Sequence, residues 1–205
     1  MSHVHTDTVE TLYRATTTPR LVRVPQLRFL CLDGHGDPNM SPEFASAVQA
    51  LYAVSYGAKS AIKTSGGPSH RMSPLEGLFW SEDPAAFTRG NKADWSWRIL
   101  IRQPDQLDPE LARRVIEDVG RKRQEPPVRD VRLVAWEEGP AAQVLHVGPY
   151  DAEAPSIARL HEYLAQQGLT FDGRRHKHHE IYLGDPRRAA PEKLRTIIRQ
   201  SYAGC

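Results

Sequence analysis

The sequence predicts an α+β protein. It reads as a pseudo-twofold pair of strand-helix-strand-strand repeats, with an antiparallel sheet, helices on one face and a central ligand cleft. Three internal rhymes carry this reading. "FLCLDGHGD" and "QVLHVGPYD" are each an apolar strand, a glycine turn and the approach to a helix. "LEGLFW" and "HEIYLG" each place a glutamate at the start of a strand. "ILIRQ" and "TIIRQ" close the two halves with nearly the same strand.

Residues 1–19 are polar and Thr-rich, an arm with room for one helical turn that ends at Pro19. Residues 20–205 form a single domain. Its first repeat covers about 20–103, a linking helix about 108–123, and a second repeat about 131–202. In the first repeat, "LVRVPQLRFLCLDGHGD" predicts a strand over Leu27 to Leu32, closed by glycines. Ser41 is the N-cap of the next helix, with Pro42 at its first position and Glu43 in its first turn. Phe44, Val48, Leu51, Tyr52 and Ser55 recur at helical spacing. "KTSGGPSHRM" is a loop, and "PLEGLFWS" and "WSWRILIRQ" are strands. "DPELARRVIEDVGRKR" is an amphipathic helix whose basic end complements the helix dipole, and "QEPPVRD" breaks the chain after it. In the second repeat, "VRLVAWEEG" and "AAQVLHVGPYD" are two strands joined by a Glu-Gly turn. "APSIARLHEYLAQQG" is a helix ending at Gly168, "HHEIYLGD" a strand, and "PEKLRTIIRQSY" a turn followed by a strand.

Composition narrows the function classes. The 205 residues are 40% hydrophobic and 25% charged, with a formal charge of +2. No basic tract marks a nucleic-acid surface, and no apolar run approaches a membrane span. Cys31 and Cys205 have no metal-ligand spacing, and Cys31 sits in an apolar run as a small core residue. The N-terminus lacks the apolar stretch of a leader peptide, so the expectation is a cytoplasmic protein. "GHGD" and "SGG" lack the frames of phosphate-binding loops, and there is no G-x-S-x-G nucleophile elbow. No cofactor is expected.

The segment "HKHHEIYLGD" concentrates polar chemistry. Residues two apart on a strand share a face, so Glu180 and Tyr182 oppose Ile181 and Leu183. The aliphatic pair suits the helix-covered core, which directs the carboxylate and the phenol together into the cleft. Two readings of Glu180 stand side by side. It is a solvated strand-end acid paired with Lys177 or Arg175, or a partly desolvated carboxylate with a raised pKa that acts as acid, base or cation anchor. His178 and His179 lie on opposite faces, and His178 with Glu180 makes too few ligands for zinc unless His176 and the distant His146 complete the set. No metal is expected. Among the aromatics, Trp97 shares a face with Trp95, Ile99 and Ile101 and reads as core. Trp80 shares a face with Glu76 and Leu78 and reads as the better pocket residue. Tyr56 ends a helical stripe.

The segments "FLCLDGHGDPNMSPEFASAVQALYAVSYGAK", "PLEGLFW", "ILIRQPD", "VLHVGPYDAEAPSIARLHEYL" and "HHEIYLGDPRRAAPEKLRTIIRQ" resemble the GyrI-like small-molecule-binding domain proteins, and more narrowly their stand-alone subgroup. The resemblance implies two strand-helix-strand-strand repeats about a ligand cleft. It also implies hydrophobic aromatic or cationic small molecules as ligands. In the stand-alone subgroup it implies hydrolysis of the cyclopropane in DNA-alkylating cyclopropanoids. It assigns the acidic residue to Glu180, places His146 and Tyr150 at the "HVGPY" turn, and gives Tyr56, Trp80 and Tyr182 as an aromatic wall. The chain has no helix-turn-helix, which departs from the regulators that carry this domain. A non-catalytic binding protein, a sink or sensor for aromatic cations, is the alternative that the same pocket allows.

Overall fold

Two strands run longer than the sequence pattern predicts. The computed structural model describes residues 7–82, 92–123, 127–171 and 177–203. A single turn of helix, α1 (Val9–Leu12), precedes strand β1 (Arg20–His35). The predicted strand, Leu27 to Leu32, is thus only the apolar centre of a sixteen-residue strand that continues through Pro25. Helix α2 (Pro42–Thr64), strand β2 (Leu75–Trp80), strand β3 (Ser96–Gln103) and helix α3 (Pro109–Lys122) follow. Strand β4 (Arg132–Val147) replaces the expected pair of strands. Gly139 has φ +75°, and this left-handed residue lies inside one strand rather than at a hairpin tip. Helix α4 (Ala154–Gln166), strand β5 (His178–Tyr182) and strand β6 (Arg195–Ser201) complete the chain. The fold is α+β, with one closed antiparallel sheet in the order β1-β3-β2-β5-β6-β4.

Contacts group the chain into two units. One holds Met1–Gln26, Leu78–Pro84 and Glu137–Cys205; the other holds Leu27–Gly77 and Ala85–Trp136. In the second unit, α2 begins as the sequence predicts, with the Ser41 hydroxyl accepting from the Phe44 N–H. Its buried stripe is Ala47, Ala50, Leu51, Val54, Ser55, Ala58 and Ile62. The stripe is rotated from the expected Phe44-Val48-Leu51-Tyr52-Ser55 face, and small residues dominate it. Close helix packing explains this. A Cβ at Gly57 would lie 3.0 Å from both Val115 and Val119 of α3. Trp97 is 1% exposed and stands edge-on to Phe44, the core role read from the sequence. It lies against the backbone of Gly34, opposite it in the β1–β3 ladder, with no room for a Cβ. Gly34→Ala should therefore destabilise the protein by roughly 1–3 kcal/mol through overpacking. The denaturation midpoint measures this, and an unchanged midpoint would show that the indole yields without cost.

The first unit contains "HEIYL". Register decides where its side chains go, because residues opposite each other on neighbouring strands share a face. Val144, Ile198 and Glu180 form one row across β4, β6 and β5, and Leu145, Ile197 and Ile181 form the next. Val144 and Ile198 cluster with Leu160 and Leu164 of α4. Ile181 clusters with Leu145 and Ile197, and Tyr13 and Ala15 of the arm pack against them. The alternation read from the sequence holds, but the side is reversed: Glu180 and Tyr182 share the face that α4 covers. Apolar packing on both faces causes the reversal, since an aliphatic pair marks burial without saying what buries it. The arm is correspondingly part of this unit. Leu12 is fully buried, and the Leu145 N–H donates to the Thr16 carbonyl at 2.8 Å.

Candidate functional site

Three β5 side chains, His178, Glu180 and Tyr182, line up on the α4 face. The Tyr182 hydroxyl donates to Glu180 Oε2 at 2.8 Å. His178 Nε2 lies 3.0 Å from Glu180 Oε1. His178 Nδ1 lies 3.1 Å from the Gln200 amide nitrogen, its cross-strand neighbour on β6. With that amide donating to Nδ1, the imidazole carries its proton on Nε2 and donates to Glu180. Each carboxylate oxygen of Glu180 thus receives a hydrogen bond, and its side chain is only 13% exposed. Burial and the adjacent Glu180 charge push the Tyr182 hydroxyl well above the usual tyrosine range, so it remains a proton donor at neutral pH. The Tyr150 ring meets the Tyr182 ring edge-on, with centroids 5.4 Å apart.

Glu153 joins this group from α4. It is the residue preceding the helix and is 4% exposed. One ligand atom from each of Glu153, His178 and Glu180 lies within 4.8 Å of the others. The N-terminal end of a helix favours negative charge, which helps hold two carboxylates close together there. Sequence reading passed over Glu153, since nothing local distinguishes it from the acids around it. The set offers two carboxylates and one imidazole, a group able to hold a cation or pass a proton.

His146 occupies an adjoining network. Its Nε2 donates to the Pro149 carbonyl at 3.1 Å, which leaves Nδ1 to accept from the Ser156 hydroxyl at 3.2 Å. Arg159 Nη2 donates to the same Ser156 oxygen at 3.1 Å. Both ring nitrogens of His146 are therefore engaged, and the ring braces the turn that carries Tyr150. Gly148 in that turn has φ +137°, and a Cβ there would come within 3.3 Å of His146 Nε2.

The family model of the GyrI-like small-molecule-binding domain matches residues 17–200. The chain belongs to this family. An uncharacterised conserved protein from Listeria innocua is 36% identical and has a TM-score of 0.88, the match covering 95% of this chain and 97% of that one. A protein from Listeria innocua described as a hydrolase is 35% identical and has a TM-score of 0.82, with 95% and 96% covered. The EcmrR C-terminal domain, 11% identical with a TM-score of 0.54 over 92% and 98% of the two chains, shares the fold alone. No curated protein matches the sequence.

Within this GyrI-like domain the residues singled out from the sequence separate into groups. Glu180, Tyr182 and Tyr150 stand together, and His146 supports them from beside. Trp80 ends β2 in the same unit, partly exposed, with the Lys177 ammonium 3.1 Å above its ring centroid. Tyr56 is on α2 in the other unit, 58% exposed and stacked on Tyr52. It is not a core residue. His178 and His179 diverge as alternation predicts. His179 Nδ1 lies 3.0 Å from Glu138 Oε1, on the side away from Glu180. His176 and Arg175, the other partners considered for this segment, fall outside the described residues. Among the described residues no helix is long and apolar enough to cross a membrane.

Proposed function

We propose that this GyrI-like protein is a detoxifying hydrolase that opens the cyclopropane of planar, DNA-alkylating cyclopropanoid compounds. The observation that carries the proposal is the fixed Glu180 carboxylate, held by His178 and Tyr182 beside the Tyr150 ring. A hydrolase description attaches to a relative 35% identical over nearly the whole chain, which supports the reaction class. Glu180 takes a proton from a water molecule, and the water oxygen attacks a cyclopropane carbon. The strained C–C bond breaks, and its electron pair moves through the conjugated system onto the carbonyl oxygen. That oxygen becomes a phenolate and then receives a proton, so the net change is addition of one water. The Tyr150 hydroxyl donates a hydrogen bond to the developing phenolate, while the single Tyr182 proton stays on Glu180 Oε2. His146 contributes by holding the turn. The substrate is already electrophilic, so positioning and one base supply most of what the reaction needs. Incubation with a cyclopropane-bearing alkylator, followed by mass spectrometry, should show a product heavier by one water. Depletion of the compound without a hydrated product would leave a binding protein.

That alternative has an observation of its own. Two poorly exposed carboxylates, Glu153 and Glu180, beside two tyrosine rings suit an aromatic cation held without turnover. The cytoplasm is the proposed location, and no nucleic acid takes part. Trp80 stays in the proposal as an outer aromatic contact.

The hydrolytic reading uses Glu180 as a base and therefore needs no metal. Purified, untagged protein should contain no stoichiometric zinc by elemental analysis, and turnover should survive chelation. A stoichiometric transition metal would recast Glu153, His178 and Glu180 as its ligands and remove the base from the mechanism.

A further inference from the structure

Lys177 immediately precedes β5, and its side chain turns back across Trp80, the last residue of the neighbouring strand β2. The ammonium sits 3.1 Å above the ring centroid, well inside the roughly 6 Å range in which an aromatic face attracts a cation. Both residues are partly buried, so this contact is made with much of the surrounding water removed. An indole has a strong claim on positive charge, and here its face is already covered by one belonging to the chain. A ligand that stacks on this face of Trp80 has to move that ammonium. A cationic ligand then gains a cation–π contact only by ending another, while its charge faces the displaced lysine. A neutral aromatic ligand has no such repulsion to overcome, and the lysine can stay near its edge.

We infer that Lys177 is a specificity residue, a tethered cation over Trp80 that biases this site toward neutral aromatic ligands and against cationic ones. This rests on the reading of Trp80 as part of the ligand wall, and it favours the neutral cyclopropanoid over the aromatic cation as the ligand class. Lysine and methionine stems cover similar apolar surface, so Lys177→Met removes the charge while keeping much of the packing.

The test uses the full-length protein and two phenyl-substituted phosphorus probes, cationic tetraphenylphosphonium with four rings and neutral triphenylphosphine oxide with three, measured by calorimetry. In salt of about 0.3 M, solvent-exposed charges more than about 6 Å apart are largely screened. Lys177→Met should tighten tetraphenylphosphonium by roughly fivefold to thirtyfold, the range spanned by one cation–π contact, and should move triphenylphosphine oxide by less than about twofold. In a Trp80→Leu background the same substitution should lose most of its effect on the cation. Equal tightening of both probes would make Lys177 a steric plug and overturn the inference. So would unchanged or weaker cation binding in Lys177→Met while Trp80→Leu still weakens both probes. If Trp80→Leu leaves both probes unaffected, the ligand wall has been misplaced and the inference falls with it. Hydrolysis of a neutral cyclopropanoid by Lys177→Met, followed in parallel, reports separately on Glu180.

Discussion

Glu180→Gln should lower turnover of a cyclopropane-bearing alkylator by roughly two to four decades while the protein remains folded. The amide keeps the shape of the carboxylate and cannot take a proton from water. Its oxygen can still accept from Tyr182, but its NH2 group then faces the His178 Nε2–H. The imidazole has to move its proton to Nδ1 and the Gln200 amide has to turn over, so a modest fall in stability should accompany the loss of activity. Binding of a neutral aromatic ligand should be spared, and a cationic dye should bind more weakly because one of two nearby carboxylates is gone. In the parent, hydrolysis should fall on acidification, since a protonated acid is no base, and the variant's residual rate should lack that limb. Single-turnover rates across pH, with thermal melting as the control for folding, measure both effects. Turnover equal to the parent would remove Glu180 from the mechanism. Loss of all ligand binding in a folded variant would make its role structural.

Arg199→Met should cost roughly 3–5 kcal/mol of stability, the effect expected when one partner of a buried ion pair is deleted. Arg199 is 2% exposed and serves three acceptors: Gln143 Oε1 at 3.0 Å, Glu138 Oε2 at 3.2 Å and the Leu12 carbonyl at 2.6 Å. His179 supplies the other contact to Glu138, and Gln143 passes the network on to the Arg14 carbonyl. Methionine fills the volume but leaves three buried acceptors short of a donor. The pH dependence follows from Glu138. Burial pushes its carboxyl up, but the charges of His179 and Arg199 outweigh that and hold its pKa below the usual glutamate range. A carboxyl depressed in the folded state contributes its full stability above its unfolded pKa and loses it as pH falls through the folded value. Stability should therefore decline in the acid range, below the pKa of a free glutamate, and Glu138→Gln should flatten that decline. Urea unfolding at several pH values reads both. A loss under about 1 kcal/mol in Arg199→Met would show that the network fixes the arm's position without stabilising the fold.

Much of this protein is legible in its sequence because much of it is governed by local rules. Ser41 caps its helix through its own side chain, as its position before Pro42 suggests, and Asp108 does the same for α3. The strand "HHEIY" and the strand after "PEK" form where the apolar pattern places them. Alternation alone puts Glu180 with Tyr182 and sends His178 and His179 to opposite sides. The motifs also suffice to recognise the family. The errors come where one local signal has two structural outcomes. A Glu-Gly pair marks a turn in most settings, yet Gly139 lies inside a continuous strand. Large apolar residues on α2 suggest a stripe, yet close packing against α3 favours the alanines beside them.

What tertiary structure alone decides is the company each side chain keeps. Periodicity says that Glu180 and Tyr182 share a face; only the register of β4, β6 and β5 says that α4 covers it. Glu153 reaches the carboxylate because the start of α4 is set down over that face, and Gln200 reaches His178 because β6 pairs with β5. Lys177 reaches Trp80 because β2 and β5 are neighbours in the sheet. The N-terminal residues, polar enough to read as a loose arm, are held by an arginine from the last strand. The physical reason is the same throughout. A chain's local pattern fixes which groups must be buried or paired, while the partner that meets each need is chosen by contacts between segments far apart in sequence.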